Sequence, residues 1–124
     1  MAAKKTQKKP TAVICDDDPM VRQLERGILT AAGYEVIAGT TTAVEALQLV
    51  LQYKPDVLLL DLGLPGASGE TIIAPIQKAV PDCAVVVVSA FDASPAIAQG
   101  AIYVIPKGSP AQLQSMLEAL IPAA

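Results

Sequence analysis

The chain of 124 residues contains no histidine. That excludes Ser-His nucleophilic catalysis and most catalytic zinc sites, which depend on imidazole. Its two cysteines, Cys15 and Cys83, form no metal or redox spacing motif. One closes an apolar run and the other opens one, the pattern of small buried hydrophobes. No apolar run approaches the ~18 residues of a membrane span; the longest are short bursts such as VLLL and AVVVV. The N-terminus MAAKKTQKKP carries lysines with no apolar stretch behind them, so it does not read as a secretory signal. These absences suggest a cytoplasmic protein in reducing surroundings, without membrane contact.

Cationic residues are scarce as well. Four of the nine basic residues, Lys4, Lys5, Lys8 and Lys9, lie in the first ten positions, which read as a solvated, disordered basic tail. Residues 11–124 then hold five basic and twelve acidic residues, a balance of −7. Such a surface repels nucleic acid, whose binding rests on Lys and Arg neutralising phosphates. With 52% apolar and 17% charged residues, the remainder has the composition of one globular domain, expected over 11–122.

What is present is an alternation of strand-length apolar bursts with helical patterns. Strands are predicted at 12–16, 35–38, 57–61, 84–89 and 102–105, three of them continuously apolar, as in a parallel sheet covered on both faces. Between the first two, Met20, Val21, Leu24, Ile28 and Ala31 recur at helical spacing, with Gly33 as a C-terminal stop. A second helix opens with Thr42-Ala-Val-Glu45, a capping-box pattern, followed by Leu47, Val50 and Leu51. The last opens with the box-like Ser109-Pro-Ala-Gln112 and carries the stripe Leu113, Met116, Leu117, Leu120 and Ile121. The alternation predicts a doubly wound α/β domain with a five-stranded parallel sheet. Ligands in such folds collect at the carboxyl ends of the strands.

Polar residues stand at those ends. Three consecutive aspartates, Asp16, Asp17 and Asp18, follow the first strand. Asp18 before Pro19 is explained as a helix N-cap with proline at the first helical position. Asp16 and Asp17 are not, since neighbouring carboxylates oppose each other's ionisation. Asp61 ends the third strand, Ser89 the fourth, and Lys107 follows the fifth. Three carboxylates at one rim suit a hard cation such as Mg²⁺. A carboxylate can also act as nucleophile toward phosphorus, with a neighbouring cation and hydroxyl stabilising the transferred group; Lys107 and Ser89 supply these.

The segments ICDDDPMVR, LLLDLGLPGASG, VVVSAFD and VIPKGSP resemble, in order and spacing, bacterial two-component response-regulator receiver domains of the CheY-like kind, over residues 11–121. The resemblance implies a flavodoxin-like strand order 2-1-3-4-5 and phosphorylation of Asp61 by a partner histidine kinase or phosphotransfer protein. With no histidine of its own, the chain needs the phosphohistidine from that partner. It implies Mg²⁺ held by Asp17, Asp61 and the backbone carbonyl of Gly63, with Asp16 acting through water. Lys107 and Ser89 are the implied lysine and hydroxyl of the pattern, and Pro65 and Gly69 stand at the expected offsets. The protein is then a signalling receiver, not an enzyme on other substrates, and with LIPAA closing the sequence it is expected to stand alone and signal through protein contacts.

Three features depart from the pattern. The segment from Ser89 to Gly100 is about one helical turn short, leaving Pro95 to Gln99 for a shortened fourth helix. Val104 takes the place of the switch aromatic, and Tyr103, one position earlier, points to the other sheet face. Pro75 falls inside the expected third helix, which must bend there or start late. Two other functions compete: a binding module independent of phosphorylation, using the altered fourth-helix face, and a Mg²⁺-dependent phosphohydrolase. The second lacks the aspartate expected two residues after the nucleophile, where Gly63 stands. A flavodoxin is disfavoured because DDD would repel a flavin phosphate.

Overall fold

β-branched and leucine-rich runs form five strands: β1 (Thr11–Cys15), β2 (Glu35–Thr40), β3 (Val57–Leu60), β4 (Ala84–Ser89) and β5 (Tyr103–Pro106). Among the described residues four helices connect or flank them: α1 (Pro19–Ala31), α2 (Ala43–Tyr53), α3 (Ile73–Ala79) and α4 (Pro110–Ala119). The structure, a computed structural model, describes residues 9–66, 68–89 and 103–121. The tail expected over 1–10 falls almost wholly outside these residues, as does the short helix expected over Pro95 to Gln99.

All strand pairs are parallel, in the order β2-β1-β3-β4-β5 expected from the resemblance. Side chains alternate between two apolar layers. Val13, Cys15, Leu58, Leu60, Val85 and Val87 pack with α2 and α3 through Ala46, Val50, Ile73 and Ile76. Ala12, Ile14, Val57, Leu59, Val86 and Val88 pack with α1 and α4 through Ile28, Leu29, Leu113 and Leu117. Burying each large aliphatic side chain stabilises the fold by about 1.5–3 kcal/mol. The Tyr34 hydroxyl donates to the Leu117 carbonyl at 2.7 Å, tying the chain entering β2 to α4. Tyr103 packs on the α1/α4 layer and Val104 on the other, so the two do face opposite ways.

Local chemistry sets the helix ends. Asp18 caps α1, its Oδ1 accepting from the Met20 N–H at 2.9 Å, with Pro19 next. Gly33 takes a φ of +102° just past the helix, a conformation only glycine adopts freely. Thr42 caps α2 by accepting from the Glu45 N–H. The Glu45 carboxylate in turn accepts from the Thr40 hydroxyl. The Ser109 side chain makes no capping bond to α4. α3 starts late: a 3₁₀ turn, Gly69–Ile72, precedes it, and Pro75 lies in its first turn, where the missing N–H breaks no helical bond.

The core face of α1 differs from the stripe read in sequence. Met20, Leu24 and Ala31 are exposed, and the buried positions are Glu25, Ile28, Leu29 and Ala32. On α2, Val50 is buried but Leu51 is exposed. The α4 stripe is as expected, with Leu113 and Leu117 enclosed and Met116, Leu120 and Ile121 partly so.

Candidate functional site

The parallel register brings the site together. Cys15 of β1 pairs with Leu60 of β3, so the next residues, Asp16 and Asp61, leave the sheet side by side. The Asp61 N–H donates to the Cys15 carbonyl at 2.9 Å, and the Asp16 N–H to the Thr40 carbonyl at 3.0 Å. Ser89 of β4 pairs with Pro106 of β5, and the Lys107 N–H donates to the Ser89 carbonyl at 3.2 Å. Ser89 is buried at the same rim.

One carboxylate oxygen from each of Asp16, Asp17 and Asp61 lies within 4.8 Å of the others. Asp16 and Asp61 are buried, whereas Asp17 is exposed. The Lys107 ammonium sits 3.1 Å from Asp16 Oδ2 and 3.4 Å from Asp61 Oδ2. Burial opposes the charge of Lys107, but the two carboxylates outweigh it and hold its pKa above the ordinary lysine value. Burial raises the pKa of Asp61; the Gly63 N–H, donating to Oδ1 at 3.2 Å, pulls the other way, Asp16 adds to the rise, and Lys107 opposes it.

Asp16 is held from several sides. Its Oδ1 accepts from the Asp18 N–H at 2.9 Å, and its carbonyl accepts from Arg22 Nη1 at 2.7 Å. Its Oδ2 is enclosed and has no hydrogen bond, with Lys107 present as an ion-pair partner. An enclosed carboxylate oxygen beside two further carboxylates is a donor set that fits a hard divalent cation.

The backbone of Asp61 is braced by Gly69. A Cβ at Gly69 would collide with the Asp61 carbonyl oxygen, so only glycine lets the 3₁₀ turn lie against the Asp61 loop. Cys15, just below the cluster, is buried and its thiol is pushed up to about 12, first by burial and then by Asp16. It is inert at neutral pH.

The structure thus gathers Asp16, Asp17, Asp61, Ser89 and Lys107 at one rim, and places Gly63 in the adjoining loop with its N–H on Asp61. Sequence reasoning missed two neighbours. Arg22 has no motif of its own to show that it reaches back to Asp16. Glu25 is only 3% exposed, and its pKa is raised to about 8, chiefly by burial and then by Asp16. Its spacing to Ile28, Leu29 and Ala32 was the available signal.

Residues 12–119 match the family described as response regulator receiver domain. The chain is 34% identical over 101 residues to a protein-glutamate methylesterase/protein-glutamine glutaminase of Hahella chejuensis, covering 77% of this chain and 29% of that protein. It is 35% identical over 78 residues to the chemotaxis protein CheY of Thermotoga maritima, covering 63% of this chain and 65% of that protein. In both, the match spans less than two thirds of the relative's length. The crystal structure of a CheY-like response regulator receiver domain protein from Methanospirillum hungatei superposes with a TM-score of 0.81 at 25% identity, covering 91% of this chain and 94% of that one.

Proposed function

Because the chain belongs to the response regulator receiver domain family, whose members take part in phosphorelay signalling, we propose that Asp61 is its phosphoacceptor. The observation that carries this is the placement of the Asp61 carboxylate within 4.8 Å of Asp16 and Asp17 and 3.4 Å from the Lys107 ammonium.

Each residue then has a distinct task. An Asp61 carboxylate oxygen attacks the phosphorus of the donor; the new O–P bond replaces the donor's N–P bond, and the imidazole leaves with the electron pair. The proposed donor is the phosphohistidine of a histidine kinase or phosphotransfer protein. Asp61, Asp17 and the Gly63 carbonyl are the proposed ligands of Mg²⁺, with Asp16 acting through water. Bound there, the ion would neutralise charge on the transferring oxygens. Lys107 supplies a second positive charge next to Asp61, and Ser89 a hydroxyl at the adjoining strand end. Arg22 and Gly69 position the backbones of Asp16 and Asp61.

On this reading the domain, over 11–122, catalyses only its own phosphoryl transfer and hydrolysis, and signals by protein contacts in the cytoplasm. The two free, buried thiols of Cys15 and Cys83 are compatible with a reducing compartment. Among the described residues no helix is long and apolar enough to cross a membrane.

Incubation with Mg²⁺ and acetyl phosphate tests the assignment by intact mass. The natural chain should gain one phosphoryl group and Asp61→Asn none. Equal labelling of the variant would move the site elsewhere.

A further inference from the structure

The acidic cluster depends on how firmly Asp16 is held where it leaves β1. A ligand set works only when its members stay within about 0.5 Å of the required geometry. The Asp16 N–H donates to the Thr40 carbonyl at 3.0 Å, a bond that crosses from the end of β1 to the end of β2. β2 is the edge strand: in the order β2-β1-β3-β4-β5 it has no neighbour on its outer side among the described residues. The end of such a strand opens readily unless another element ties it down.

That tie comes from α2. Thr40 is buried, and its hydroxyl donates to Glu45 Oε1 at 2.5 Å, the length of a charge-assisted bond. The same bond is the first cause holding the Glu45 carboxyl below its ordinary pKa. Glu45 is fixed in turn, because its own N–H donates to Thr42 Oγ1 at 3.2 Å and a carboxylate in the first turn of a helix is favoured by the helix dipole. The loop has a second fastening below the cluster, where the Cys15 thiol donates to the Thr42 carbonyl at 3.4 Å. Thr42 supplies the cap of α2, so capping does not account for the bond between Glu45 and Thr40.

We propose that Glu45 is a positioning residue for the Mg²⁺ site, holding Asp16 in place through Thr40. The proposal rests on the reading of Asp16, Asp17 and Asp61 as that site, and adds to it a residue that is not itself a ligand. What matters in Glu45 is the accepting oxygen, which glutamine also offers.

The test measures Mg²⁺ affinity of the full chain by titration calorimetry, and exchange of the Asp16 amide proton by NMR without Mg²⁺. Glu45→Ala and Thr40→Val should each weaken Mg²⁺ binding about tenfold, the lower end for losing a group behind a metal ligand, and should speed exchange at Asp16. The double variant should bind no more weakly than either single one, since both cut the same link. Glu45→Gln should keep most of the affinity. Unchanged Mg²⁺ binding by Glu45→Ala, whatever its stability in urea, would make the contact merely structural and overturn the proposal. Unchanged exchange at Asp16, losses that add in the double variant, or Glu45→Gln as weak as Glu45→Ala would each overturn it too. A natural chain that binds no Mg²⁺ would remove the metal reading itself, and the proposal with it. If Thr40→Val does not fold, the alanine and glutamine variants at the exposed Glu45 decide.

Discussion

The ammonium of Lys107 lies 3.1 Å from Asp16 Oδ2, an oxygen that is enclosed and accepts no hydrogen bond. The same ammonium reaches Asp61 at 3.4 Å, so one cation holds two buried carboxylates. Removing one partner of a buried pair costs about 3–5 kcal/mol, but Lys107 is 28% exposed, so about 1–3 kcal/mol is expected here. Lys107→Met should lower the unfolding free energy measured in urea by that amount without Mg²⁺, and added Mg²⁺ should recover part of the loss. A variant as stable as the natural chain in EDTA would show that the pair contributes nothing.

Two glycines should respond in opposite directions to the same substitution. Gly69→Ala drives a methyl into the Asp61 carbonyl oxygen and should destabilise by about 1–3 kcal/mol while slowing labelling at Asp61. Gly27, within α1, has open space around the added Cβ, and Gly27→Ala should stabilise by about 0.5–1 kcal/mol through helix propensity. Chemical denaturation of both variants checks the contrast. A neutral Gly69→Ala would remove the steric account of the Asp61 loop.

How much of this could be read in the residues depended on what kind of signal each carried. The strands were legible because parallel strands buried on both faces appear as continuous apolar runs, as in VLLL and AVVVV. Asp16, Asp61 and Lys107 were legible because each follows such a run, and parallel pairing puts the ends of neighbouring runs together. The buried face of α1 was not. Counting apolar residues selected Met20, Leu24 and Ala31, yet the helix is turned so that Glu25, Leu29 and Ala32 face the sheet. A shift of one residue is about 100° of helix rotation. An acidic residue on a core face defeats any pattern that treats charge as a mark of exposure. The support from Gly69 and Arg22 arises from how loops fold back, and sequence spacing carries little of that.

Glu25 makes stability depend on pH in a definite sense. Its pKa rises from 4.5 to about 8 on folding, mainly through burial. Between those values the unfolded chain has released the proton and the folded one still holds it. Stability therefore falls as pH rises through this window, and the loss is complete above about 8. Glu25→Gln removes that contribution. Urea midpoints measured at about pH 5 and about pH 9 should show the variant gaining on the natural chain at the higher pH. An identical difference at both would contradict the buried, shifted carboxyl.

Metal binding should register as stability. A ligand that binds only the folded state raises the melting temperature by mass action. Mg²⁺ should do so for the natural chain, and the gain should shrink in Asp17→Asn, which deletes the exposed member of the cluster. Ca²⁺ and NaCl at matched ionic strength separate site binding from screening. An unchanged Mg²⁺ response in Asp17→Asn would make the cluster structural.

The most direct measurement locates the phosphoryl group itself. Borohydride reduces an acyl phosphate to an alcohol, leaving a stable mark at the modified aspartate. After incubation with acetyl phosphate and Mg²⁺, reduction and digestion, fragment masses should place the mark at Asp61, with Asp16 and Asp17 unmodified. A mark at either of those residues, or none on a protein that binds Mg²⁺, would contradict the assignment.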